Sequence, residues 1–599
     1  MMRTTLTAVG TLALLGATAL ASGWVGSGAA EPRQGDIREL LDPTKVAASA
    51  CGNMRWARNE LFKPGVLLAS LGARTAAAAE AAALPRFDGL GPRRLAVTTA
   101  SDAAQAEVDQ GYAWLMGFNH FLAAAYFRQA QSADPTCAMC YWGEAYALGP
   151  NINDVMHDAS VRPAFQAVST AMALKDGASP REQALIEALA KRYSIDPAAD
   201  RAALDAAYAD AMVAVAERFP DDIEVKVLAA EAIMNTQPWD YWEADGVTPK
   251  GRAGKLVELL EAALATDPDH PHAIHLYIHT VEASRTPERA EPYADRLGGL
   301  MPTAGHLVHM PAHIYYRVGR YQDSLEANIA ASAADEALFA TWEEAGPYRF
   351  GYYPHNVHFV LTSAQMAGAA AETLDAAVKL GAIMSDDVAA EIGWIQAIKT
   401  APLTAHAQLS DTGTVMALPD PGDAMPYVKA FWHYARGTAL AREGDPAAIA
   451  EAEAIEALRD APGLQVMIDG YIPAPDILTL AANVVRARSA AHGGDFATAV
   501  PLLEEAAAIQ ATIPYMEPPY WPYPVEQTLG AVKLQAGDAA GAARHFQAAL
   551  MTAPNNGWSL YGLHEAQLAA GDEAAAKVTA ERLAEAWVGD DVLLSLERL

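Results

Sequence analysis

The chain has 599 residues, 52% of them hydrophobic, with 42 basic against 73 acidic side chains and a formal charge of −31. That balance excludes a basic nucleic-acid-binding surface, and only 3 cysteines exclude a disulfide-stapled scaffold. A chain of this length exceeds one globular core, so an extended or divided architecture is expected.

The N-terminus opens with Met1, Met2 and Arg3, runs through an apolar stretch from Leu6 to Leu20, and then offers small residues for cleavage after Ala21 or Ala30. This is the pattern of a secretory signal peptide over residues 1–30. Its apolar run is too short and too rich in Gly and Ala for a comfortable span, no cysteine stands ready for a lipid, and no later apolar run reaches membrane length. The expected product is exported, periplasmic or secreted, without a stable membrane anchor. Residues 31–100 form a helical or extended lead-in containing Cys51, for which the sequence gives no partner.

From residue 101 onward, alanine-rich helix-favouring segments alternate with Asp-Pro, Phe-Pro, Ala-Pro and Gly-Asp breaks, and β-branched alternation is scarce. An all-α fold is predicted. Gly111, Ala123, Phe127, Ala130 and Pro135, followed by Gly143 and Tyr146, recur in spacing at the far end. There Leu529, Gly530, Gly537, Ala542, Phe546, Ala549 and Pro554 are followed by Trp558 and Gly562. Degenerate units close at Val215 with Pro220, at Ala263 with Pro268, and over Ala290 to Pro302; another begins at His433, Gly437, Leu440 and Gly444. Small residues at these offsets let paired helices approach, and each proline forces a turn.

These offsets resemble the tetratricopeptide-repeat family over roughly residues 100–590. The resemblance implies a right-handed superhelix of helix pairs with a groove for a peptide or protein, and it implies no chemistry. The chain divides on this reading into N-terminal repeats (101–235), central histidine-rich repeats (236–400) and C-terminal repeats (401–599). Three insertions break the period: Gln237 to Lys255, Leu338 to Pro354, and Tyr515 to Pro524. Aromatic and proline-rich, they read either as lids over the groove or as packing loops.

Cys137 and Cys140 form a CxxC at the start of a helix, after Pro135. Three readings stay open: a short disulfide, soft ligands for copper(I) or zinc with Met139 or His120 nearby, and a redox pair led by Cys137. No histidine follows Cys140, so the pair does not attach a c-type haem.

Nine of the 16 histidines fall between residues 270 and 358. Counted from Pro268, His272, His275 and His279 take the slots where the family consensus has Trp, Leu and Tyr of a unit's first helix. Counted from Pro302, His306, His309 and His313 take the same slots, 34 residues later, which is the family's repeat length. After the second insertion His355 and His358 repeat the first two members, with Thr362 in the third slot. Steps of three and four return to one helix face, so each set is a stripe, with ends about 10 Å apart and out of reach of a single ion. A lone histidine in such a slot is ordinarily a hydrogen-bonded core residue. Eight together present buried nitrogens that a metal would satisfy at once; a hydrogen-bonded histidine core and an acid/base or pH-sensing pocket are the other two readings.

All-imidazole sites suit copper, zinc, iron or nickel rather than calcium or magnesium. Copper is favoured here and zinc comes second. His275, His279, His309 and His313 are expected as inner ligands, with His272, His306, His355 and His358 completing a second ion. Metal binding or metal-dependent oxidative chemistry is one reading; a histidine-cored, metal-free scaffold for a peptide or envelope protein is the other. His120, His157, His406 and His433 read as structural, and His492, His545 and His564 as ordinary helix positions. Nothing signals a nucleotide, a metalloprotease or a serine hydrolase.

Overall fold

The computed structural model describes residues 84–342 and 348–599. The signal-peptide reading, Cys51 and most of the lead-in lie outside the described residues. The last part of the lead-in, residues 84–100, forms neither helix nor strand. It buries Leu84, Phe87, Leu90 and Leu95 and is tied to the central repeats where Thr303 Oγ1 donates to Asp88 O at 2.6 Å.

Everything after it is helix pairs, and no strand occurs among the described residues. Pro135, Pro220, Pro268, Pro302 and Pro554 each stand two residues after one helix ends and three before the next begins. The physical reason is common to all five: proline lacks the N–H that would continue the preceding helix, and its position past the C-cap starts the turn. The close approach of paired helices is also repeated. Gly111 and Gly143 flank the Phe127 ring at one end of the molecule, and Gly530 and Gly562 flank the Phe546 ring at the other. A Cβ at Gly111 would stand 3.3 Å from Phe127 and one at Gly530 would stand 3.0 Å from Phe546. At Gly143 and Gly562 it would overlap the ring outright.

The described residues of all three insertions pack against the histidine-bearing region, a placement that both a lid and a packing loop allow. Trp239 Nε1 donates to Ile152 O at 2.9 Å, and Trp242 Nε1 to Thr280 O at 2.7 Å. In the second insertion the Tyr348 hydroxyl accepts from His306 N at 3.0 Å. The third, far along the chain, brings Glu517 to His313.

That long-range contact exists because the C-terminal repeats turn back on the middle of the chain. Trp558 Nε1 donates to Gln365 O at 2.8 Å, Val588 N to Ala367 O at 3.0 Å, and Asn555 Nδ2 to Gly319 O at 3.3 Å. Among the described residues no helix is long and apolar enough to cross a membrane.

Gly368 marks the closure. It terminates the helix Tyr353–Ala367 in the left-handed region (φ 83°), and a Cβ there would overlap the Trp587 ring. Gly368→Ala combines a backbone conformation unfavourable to alanine with overpacking, and should destabilise the protein by about 1–3 kcal/mol. The check is the urea midpoint at unchanged helical circular dichroism; an unmoved midpoint would mean that the closing contact contributes nothing.

Candidate metal centre

The first histidine helix, Pro271–Val281, has every residue buried. A helix without a wet face must pair its polar side chains internally. The second stripe is carried by Gly305–His309 and Pro311–Val318, and the third by Tyr353–Ala367. The stripes mesh with a stagger: the second and third histidines of one unit meet the first of the next. His275, His279 and His306 offer ligand nitrogens within 4.8 Å of one another, and so do His309, His313 and His355.

This grouping differs from the expected one. His306 and His355 join the two inner pairs separately instead of completing a second ion, because a stripe spanning two turns cannot converge on one point. His272 falls to a carboxylate, with Nε2 3.2 Å from Glu231. His358 is buried but belongs to neither group.

Hydrogen bonds fix which nitrogen of each ring is free. His275 Nδ1 donates to Met116 O at 3.0 Å. His309 Nδ1 lies 2.6 Å from Asn328 Oδ1, and the same amide donates from Nδ2 to Ser324 O at 2.7 Å, which fixes its orientation. His279 Nδ1 and His313 Nδ1 face the two oxygens of one carboxylate, Glu282, at 2.8 and 2.7 Å. Each of these partners only accepts, so Nδ1 of His275, His279 and His309 carries the proton and their Nε2 presents a lone pair, while His313, raised against burial to about 10 by Glu282 and Glu517, carries protons on both nitrogens near neutral pH. The Nε2 atoms then face one another: His275 and His306 at 3.1 Å, His309 and His313 at 2.9 Å. Protonated His313 donates from Nε2 to His309, and His306, whose Nδ1 meets no acceptor, has its Nε2 proton to give to His275; a metal ion would take the place of those protons. For metal–nitrogen bonds of about 2.0–2.1 Å, two ligands around one ion stand about 2.9–3.4 Å apart, which is the observed spacing. His279 Nε2 and His306 Nδ1 are buried without a hydrogen-bond partner.

The electrostatics divide the cluster. Burial, aided by neighbouring imidazoles, holds His275, His306, His309 and His355 well below the usual histidine range. Burial alone lowers His358 to about 3. His313 is the exception: burial opposes its charge, but Glu282 and Glu517 override burial and raise it to about 10. Burial would likewise raise the Glu282 carboxyl, yet His313 and His279 hold it at about 2.

Aromatic rings cover both groups. Phe118 lies 4.3 Å from His275 and stacks on His306 at 5.5 Å between centroids; Trp239 stands edge-on to His279 at 4.8 Å; Tyr352 is 4.6 Å from His306. Phe359 lies 4.9 Å from both His309 and His313. Phe118 and Trp239 hold φ values of 58° and 62°, a conformation that costs a bulky residue about 1–3 kcal/mol and is retained where the surroundings impose it. The arrangement is two adjacent, water-poor sets of three imidazoles, suited to late first-row transition ions.

A family model described as tetratricopeptide repeat matches residues 533–596. Residues 533–596 are thus a tetratricopeptide repeat. The helix pairs of the chain are similar to those of solved structures that include Naa15/Naa10 bound to HypK-THB (14% identity, 80% of this chain and 70% of that one, TM-score 0.20). Yeast Tom70 (11%, 81% and 93%, 0.24) and the tetratricopeptide domain of P58(IPK) (11%, 78% and 99%, 0.21) are further examples. No curated protein matches this chain in sequence.

The tetratricopeptide frame also shows what the histidine count overlooked. Counted from Pro220, Glu224 and Glu231 occupy the first and third slots of the preceding unit. Glu224 meets His270 at 3.3 Å and Glu231 meets His272, so the polar lattice starts one unit earlier, with carboxylates. Glu282, three residues after His279, had a visible spacing. Glu517 carried no signal beyond its place in an aromatic insertion. The CxxC is a buried disulfide between Cys137 and Cys140, with Cys137 capping the helix Ala138–Ala147 through Sγ; neither sulfur is free to ligate or to react as a thiolate in this state.

His358 gives the pH dependence its test. Its folded pKa, about 3, lies below the unfolded value of about 6.5. The unfolded chain therefore binds the extra proton, and stability falls as pH drops from about 6.5 toward 3, with a slope approaching about 1.4 kcal/mol per unit. His313 acts in the opposite direction: its contribution is complete below about 6.5 and is lost as pH rises toward about 10. For chelator-treated protein between pH 6 and 4, His358→Gln should flatten the stability slope by about one proton. Identical slopes in the two proteins would contradict the assigned neutral state of His358.

Proposed function

We propose that this is an exported tetratricopeptide scaffold whose central repeats bind transition-metal ions in two adjacent three-imidazole sites, copper in preference to zinc. His275, His279 and His306 form one site, and His309, His313 and His355 the other. The observation that carries the reading is the convergence of three imidazoles at each of two points, with ligand nitrogens within 4.8 Å of one another, while Nδ1 of His275, His279 and His309 is held by acceptors. Three protein ligands leave a coordination position for a small exogenous molecule. The aromatic cover restricts that molecule in size, which favours metal binding or chemistry on a small oxidant over turnover of a bulky substrate. Export rests on the leader-like residues 1–30 alone.

A second reading has its own support. His313 is paired with both Glu282 and Glu517, so a proton on its Nε2 would satisfy His309 without a metal. The protein would then be a metal-free scaffold taking a peptide or envelope protein in its groove, as tetratricopeptide repeats commonly do.

Elemental analysis of gently purified protein separates the two. About two equivalents of copper or zinc are expected, falling below about 0.2 in the double variant His275→Ala, His309→Ala at unchanged helical circular dichroism. Metal-free protein that takes up neither ion on titration would leave the scaffold reading, and full occupancy in the folded double variant would mean that other residues hold the ions.

A further inference from the structure

Ring contacts run between the two three-imidazole sets as well as within each. His279 of the first set lies 5.7 Å from His313 of the second between ring centroids, and His306 of the first lies 5.9 Å from His309 of the second. The aromatic covers do not reach across. Of the six ligand rings, Phe118, Trp239 and Tyr352 meet only those of the first set, and Phe359 meets only those of the second. The covers therefore close the outer ends, and imidazole faces imidazole in between.

One carboxylate reinforces the pairing. Glu282 engages His279 Nδ1 at 2.8 Å and His313 Nδ1 at 2.7 Å, so one ring of each set is held on the same anchor. Two-metal centres hold their ions about 3.5–4 Å apart. Imidazoles that splay outward from such a pair place their ring centres further apart than the ions, and separations of 5.7 and 5.9 Å suit that arrangement.

Charge narrows what can lie between the sets. Neutral imidazoles bring no negative charge, and among the described residues Glu282 and Glu517 are the only carboxylates in ion pairs with any of the six. Two divalent ions would carry four positive charges into this water-poor volume, and uncompensated charge at such depth is costly. An anion between the ions offsets it. Five of the six rings are buried and His355 is the one partly exposed, which makes its side the approach for a small solute.

We propose that the two sets act as one dinuclear centre whose ions share a single small bridging anion, hydroxide in water and azide as its probe. The proposal rests on the metal-binding reading above and adds to it the class of ligand that the pair takes.

Chelator-treated full chain, loaded with copper(II), tests it by metal content and by the integrated electron paramagnetic resonance signal. About two copper ions per chain are expected, with less than about a tenth of them giving a signal, because ions joined by one bridging ligand couple their spins. His309→Ala, at unchanged helical circular dichroism, should hold about one ion that gives its full signal, so that silence in the parent reports pairing and not reduction to copper(I). Azide titration of the parent, followed by its charge-transfer absorbance, should saturate at about one azide per two copper ions. Two bound ions with full signal, or two azides taken up per pair, would overturn the dinuclear centre and leave the metal-binding reading intact. A silent single ion in folded His309→Ala would overturn it as well. Parent protein that takes up no copper would overturn both.

Discussion

A single buried carboxylate organises the centre of this molecule. Glu282 is 1% exposed, accepts from His279 on one oxygen and forms an ion pair with His313 Nδ1, 2.7 Å from the other. An isolated charge at that depth would cost several kcal/mol, so it is tolerated only because both imidazoles are aimed at it. His279 and His313 hold equivalent slots in successive repeats, so the carboxylate ties the repeats together at the level of the histidine stripes. It also fixes the His279 ring, whose engaged Nδ1 leaves an Nε2 lone pair facing inward, and it holds His313 protonated, so that a metal ion at His313 Nε2 would displace a proton.

The remaining features serve the same geometry. The C-terminal repeats dock against the middle of the superhelix, and that docking delivers Glu517 to the Nδ1 side of His313. The turn at Phe118 and the insertion bearing Trp239 lay rings against the imidazoles at the expense of left-handed backbone. The repeat architecture thus supplies spacing, and its departures from regularity supply enclosure. A slot that ordinarily holds a large apolar residue here holds a nitrogen base, and the surrounding chain has been arranged to satisfy it.

Much of this could be read from the residues themselves. The proline offsets, the Gly-Phe-Gly locks at both ends and the 34-residue displacement of the histidine triplets are local or periodic patterns, and each has its counterpart in a helix end, a close helix approach or a buried stripe. The partition of the histidines was less legible, because the consensus places residues on a helix face but does not give the stagger between neighbouring helices; that stagger sends His306 and His355 to different groups. Glu224 and Glu231 were readable in the same slots once the polar pattern was allowed to begin with carboxylates. Glu517 was not readable. Its approach to His313 depends on how the whole superhelix closes, which no local pattern encodes.

The central claim concerns the inward-facing Nε2 atoms, and anomalous diffraction from crystals grown with copper or zinc tests it most directly. Two peaks are expected, each about 2.0–2.2 Å from ring nitrogens, one among His275, His279 and His306 and the other among His309, His313 and His355. Peaks absent from both sets, or a single ion held by Glu282 and Glu517 on the Nδ1 side of His313, would contradict it.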